Sequence, residues 1–109
     1  MTLPQVASMI ESIGVPSAYH HFKRTNVKPP FILYYYDRSM DFSADNTNYL
    51  KAKSLTIELC IDDRDFDLEH RIETILNEND LVYTQTETYL ESERMYVVAF
   101  FTSVIITED

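Results

Sequence analysis

Apolar positions along the chain switch between a helical and an extended period, and each switch marks an element. Leu3, Val6, Met9, Ile10 and Ile13 recur at three- and four-residue steps, one stripe of an amphipathic helix. Ahead of them, Thr2-Leu3-Pro4-Gln5 predicts a capping box, with Thr2 as N-cap and Pro4 in the first turn, where its missing N–H goes unused. Gly14 and Pro16 predict a left-handed cap and a stop. Ala18 to Phe22 then reads as a short strand, and Lys23-Arg24-Thr25-Asn26 as a polar turn. The run Lys28-Pro29-Pro30-Phe31-Ile32-Leu33-Tyr34-Tyr35-Tyr36-Asp37 predicts a second strand over Phe31 to Asp37, the hairpin partner of the first. Its start is fixed by two prolines that cannot donate backbone hydrogen bonds.

Between Arg38 and Asn48, Ser, Asp, Asn and Thr compete for backbone hydrogen bonds and predict a protruding loop. Leu55, Ile57, Leu59 and Ile61 alternate with Ser54, Thr56, Glu58 and Cys60, the period of a strand. Asp65 or Asp67 can cap a second helix, whose stripe is Leu68, Ile72, Ile75 and Leu76 and whose end falls at Asn77 to Asp80. A strand from about Val82 to Leu90, a tight turn Glu91-Ser92-Glu93-Arg94 and a last strand from Met95 to Ile106 complete the chain. The predicted fold is α+β: one domain over residues 1–109, with an antiparallel or mixed sheet of about five strands and two amphipathic helices on one face.

Composition narrows the function classes. A net charge of -9 has the wrong sign for holding a phosphate backbone, although it suits a surface that DNA passes without sticking. Cys60, the single cysteine, cannot form an intrachain disulfide, which favours a reducing compartment. The N-terminus lacks the basic flank and apolar core of a signal peptide, and no apolar run reaches membrane-spanning length, so a soluble protein is expected.

The candidate chemistry is sparse. His20 and His21, adjacent on a predicted strand, should point to opposite faces, and His70 lies on the second helix, so no histidine metal site is expected. Asp63, Asp65 and Asp67 imitate the start of a calcium loop. However, Leu68 occupies the position that needs Gly, and Thr74 replaces the closing Glu, so helix capping accounts for the cluster. Asp37, Asp41 and Asp45 flank the polar loop without a neighbouring base or sugar platform. A single Gly rules out glycine-rich phosphate loops, no nucleophile elbow is present, and no catalytic residue, cofactor or metal is expected. What remains is assembly or binding through surfaces rich in tyrosine, a residue suited to interfaces.

The Pro30-to-Asp37 strand, the Phe42-Ser43-Ala44-Asp45-Asn46 loop with Tyr49, the Ile57-Glu58-Leu59 strand and the Tyr83-to-Glu93 hairpin together resemble small tail proteins of phages and prophages of Gram-positive bacteria. Within that group the chain is most similar to the tail terminators of long, non-contractile-tailed phages, over nearly its whole length. The resemblance implies a non-enzymatic subunit of the virion, made in the host cytoplasm. Six copies would form a ring on the last tail-tube ring, stop tube growth and offer a docking surface to the head-tail connector, while DNA passes without specific binding. On this reading Asp41 and Asp45 face the channel or a partner ring, and Tyr34, Tyr36 and Tyr49 bury an intersubunit contact. Two alternatives share the size and acidity: a head-tail joining or head-completion protein of the neck, and a DNA-mimicking inhibitor with carboxylates spread over one face.

Overall fold

The computed structural model describes residues 1–40 and 50–107. Its elements are α1 (Leu3–Glu11), β1 (Ser17–Tyr19), β2 (Phe31–Met40), β3 (Leu50–Ile61), α2 (Phe66–Glu78), β4 (Tyr83–Leu90) and β5 (Met95–Thr107). The strands form one mixed sheet in the order β1-β2-β3-β5-β4, antiparallel at every pairing except β1 with β2. This is the α+β fold that the pattern predicts.

Local chemistry sets the helix ends. The Thr2 hydroxyl accepts from Gln5 N at 3.2 Å and the Gln5 side chain accepts from Thr2 N at 2.8 Å, closing the capping box. The helix ends earlier than expected, on Ser12, and Gly14 takes its positive φ of 97° in the turn beyond. Ile13, outside the helix, is still buried, and its carbonyl accepts from Arg71 Nη1 at 2.7 Å, which ties the end of α1 to α2. Asp65, one of the two candidate caps, accepts from Leu68 N at 3.0 Å, and Asp67 and Glu69 place negative charge in the first turn of α2.

Three expectations are corrected. The first strand is shorter than Ala18 to Phe22 and runs parallel to β2, with Ser17 opposite Ile32 and Tyr19 opposite Tyr34. A hairpin needs only the polar turn, but residues 20–30 are long enough to carry the chain back to the start of β2, and His20, at φ 68°, ends the extension. Pro29 and Pro30, joined by a cis peptide, still mark where β2 begins. The predicted loop is also narrower, because β2 continues through Arg38 to Met40 after a register shift between Tyr36 and Ser39. Asp41, Asp45 and Tyr49 lie outside the described residues.

The core lies between the helices and one face of the sheet. Val6, Met9 and Ile10 of α1 and Leu68, Ile72 and Leu76 of α2 pack with Ile32, Leu55, Ile57, Leu59, Val98 and Phe100. The register explains the match, because Ile32-Leu59-Val98 and Tyr34-Ile57-Phe100 are rows straight across β2, β3 and β5. Among the described residues no helix is long and apolar enough to cross a membrane.

Candidate functional site

The same register fixes what the opposite face presents. Phe31-Cys60-Val97-Thr88, Leu33-Glu58-Ala99-Thr86 and Tyr35-Thr56-Phe101-Thr84 form three rows from β2 through β3 and β5 to β4. Neither helix packs on them, since both core stripes meet the other face. An antiparallel sheet with one wet face normally carries polar residues there. Here the face is largely apolar, and it holds a trough of about 490 Å³ lined by Phe31, Leu33, Cys60, Val97, Ala99 and Phe101, with Glu58 and Glu93 among its walls. Phe101 is 39% and Ile105 55% exposed, well above what their counterparts on the helix side show.

The polar groups of this face are the exposed Thr84, Thr86 and Thr88 of β4 and a hydrogen-bonded set on β2 and β3. The Tyr35 hydroxyl donates to Glu58 Oε2 at 3.2 Å, and the Thr56 hydroxyl donates to Asp37 Oδ2 at 3.4 Å. Burial, followed by the Glu58 charge, pushes the Tyr35 phenol above its ordinary range. The same two causes, burial first, push the Cys60 thiol up to about 11, so it is a packed neutral side chain at neutral pH. The segment leaving β1 borders the trough on the β2 side. The Phe22 ring meets Phe31 edge-on at 5.5 Å, and the His20 ring lies 6.1 Å from Tyr35. Lys23, Arg24 and Lys28 on this segment are exposed.

Tyr34 and Tyr36 sit on the helix side of β2, not on the open face. Tyr19 joins them, its ring 5.4 Å from Tyr34 and 5.8 Å from Tyr36, and Lys53 Nζ lies 5.4 Å above the Tyr36 ring. Desolvation, then the neighbouring phenols of Tyr34 and Tyr19, pushes Tyr36 up to about 12. The half-buried Tyr34 and Tyr36 and the exposed Tyr19 form an aromatic cluster at the β1 end of the sheet.

His20 and His21 correct a further expectation. Because β1 stops at Tyr19, they do not alternate across a strand, and their Nδ1 atoms approach to 3.3 Å. Among the described residues no third His, Cys, Asp or Glu converges with them or on any other such group. At the opposite margin, Arg64 clips the edge strand to the helix. Its guanidinium donates to both oxygens of the buried Glu69, at 3.0 and 2.9 Å, and to Glu87 of β4. The side-chain hydrogen bond to Glu69 is the leading cause that raises the Arg64 pKa, so the guanidinium stays charged.

The open face is the feature that strand-by-strand reading missed, and its signal lies in β2 and β5. Phe31 to Tyr36 and Met95 to Phe101 are apolar or aromatic at both parities, the pattern of strands covered on both sides, whereas β3 alternates. No protein-family model matches the chain, and no curated protein matches it.

Proposed function

We propose that this chain is a structural subunit of a phage tail, a terminator that closes on itself as an oligomeric ring, hexameric in the resemblance that suggests it. The ring caps the tail tube and provides the head-docking surface. The observation that carries this reading is the open sheet face, where Phe31, Leu33, Val97 and Phe101 stay partly exposed around a trough that the subunit's own helices leave uncovered. Exposed apolar patches of this kind are characteristic of surfaces covered by another protein. A ring needs a surface of one subunit to meet a different surface of the next, and a sheet with one covered and one open face is asymmetric in that way. The net charge of -9 suits a passage through which DNA slides without counterion-release adhesion. A DNA mimic would be expected to carry its carboxylates over one face, and an apolar trough holding two glutamates is unlike that arrangement.

The test is electron microscopy of lysates from the encoding phage or induced prophage with this gene deleted. Overlong, headless tails are the expected result. Normal-length tails beside unattached filled heads would move the subunit to a joining role in the neck, and intact virions would remove it from assembly.

A further inference from the structure

The open face identifies a surface; the distribution of charge identifies its occupant. Residues 12–36 contain no acidic side chain and carry Lys23, Arg24 and Lys28, three of the nine basic residues, while seventeen of the eighteen acids follow Tyr36. The subunit is therefore electropositive along the segment joining β1 to β2 and electronegative over most of the rest. The sheet order places that segment on the β2 margin of the open face, with β4 and the Glu91-to-Arg94 turn on the far margin. The trough between them is lined by Glu58 and Glu93. Glu58 lies half-buried between Leu33 and Ala99, its one side-chain partner among the described residues the Tyr35 hydroxyl at 3.2 Å, so a carboxylate there gains from an incoming cation. Arg94 shares the turn with Glu93 but does not line the trough.

Resting on the ring reading above, we infer that the trough of each subunit receives the segment between β1 and β2 of the next copy. Lys23, Arg24 and Lys28 approach Glu58 and Glu93, and Val27, Pro29 and Pro30 supply apolar surface to Phe101, Val97 and Leu33. The helix side is a poor occupant, because the exposed Asp67 and Glu78 and the half-buried Glu73 of α2 would meet the glutamates of the trough. Nucleic acid is disfavoured by the same sign. Copies bearing a net charge of -9 repel at long range, so a contact between them depends on local pairing of opposite charges. The basic segment flanks the trough at β2, while Glu58 stands within it on β3 and Glu93 at its β4 end, so occupant and receiver are different surfaces, the condition for a head-to-tail contact that propagates round a ring.

Sedimentation velocity of the full chain at low ionic strength tests this pairing. The wild type is expected to self-associate with concentration and to dissociate as salt screens the pairs. The triple variant Lys23→Glu, Arg24→Glu, Lys28→Glu and the double variant Glu58→Lys, Glu93→Lys should each associate roughly a hundredfold more weakly. Their equimolar mixture should recover the wild-type association, because acidic and basic patches then alternate around the ring. Circular dichroism checks that both fold; where Glu58→Lys does not, Glu91→Lys with Glu93→Lys on the exposed turn replaces it. Variants that associate like the wild type, a mixture of folded variants that stays monomeric, or a wild type monomeric at every concentration would overturn the inference. The deletion phenotype is independent of these outcomes. Overlong tails without charge rescue leave the terminator reading and remove this contact, whereas charge rescue with normal tails leaves the contact and removes the terminator reading.

Discussion

The two faces of the sheet are built from the same three central strands yet carry different solutions to burial. On the helix side, Ile32, Leu59, Val98, Ile57 and Phe100 are each fully buried, because α1 and α2 lay their apolar stripes across them. On the other side, Phe31, Leu33, Val97 and Phe101 lie in equivalent rows and remain partly exposed. The difference is one of cover, not of residue type. A chain that spends apolar residues on both sides of a sheet and supplies helices for only one leaves, among the described residues, a second apolar surface open, and the proposed ring rests on that surface.

Substitutions should separate the two faces. Phe100→Ala, at the centre of the covered face, is expected to destabilise the monomer by about 3–5 kcal/mol in urea unfolding. Phe101→Ser, one residue along and on the open face, should cost the monomer only about 1–2 kcal/mol while weakening self-association, read as a drop in sedimentation coefficient at equal concentration. Equal losses of monomer stability would mean that the open face is already packed within the subunit.

The covered face also depends on how its edge is held. Among the described residues, Arg64→Ala leaves the buried Glu69 carboxylate with the Gln85 amide at 3.3 Å as its side-chain partner and releases Glu87 of β4, so a loss of stability smaller than that of Phe100→Ala is expected, again by urea unfolding. Amide exchange along β4 should rise more than along β3. Thr2→Ala removes the cap of α1 at a cost of about 1 kcal/mol and should leave association through the open face unchanged.

Alkaline pH acts on both faces, and most strongly at Tyr36. The Tyr36 phenol, on the helix side, keeps its proton in the fold up to about 12 but loses it near 10 when unfolded. The unfolded state therefore binds fewer protons in that window, and stability falls as pH rises from about 10 towards 12. Tyr36→Phe should flatten this loss and remove one late phenolate step from the ultraviolet titration.

Much of this arrangement was legible in the sequence because it depends on local chemistry. The capping box at Thr2 and Gln5, an aspartate cap at Asp65 or Asp67 and the alternation of β3 follow from residue spacing within one element, and the β4–β5 hairpin from the turn between two neighbours. The direction of β1 was not legible. A three-residue strand has too little pattern to choose between parallel and antiparallel pairing, and the choice rests on where residues 20–30 return. The polar stretch after Asp37 hid the end of β2, because Arg38 and Ser39 favour loops by composition, yet Ser39 and Met40 resume the ladder with β3 after a bulge. As for the site, the aptness of tyrosine for interfaces points to Tyr34 and Tyr36, but parity places them on the helix side, and the open face belongs to Phe31, Leu33 and Tyr35. That assignment required the register, which no single strand contains.

Diazirine footprinting of the full chain across a concentration series tests most directly whether the open face is covered by another copy. Burial there predicts that labelling of Phe101 and Ile105 falls as the protein assembles, while the exposed Phe66 at the start of α2 and Leu3 on α1 label equally throughout. Labelling of Phe101 and Ile105 that never changes, or protection confined to the helix side, would contradict it.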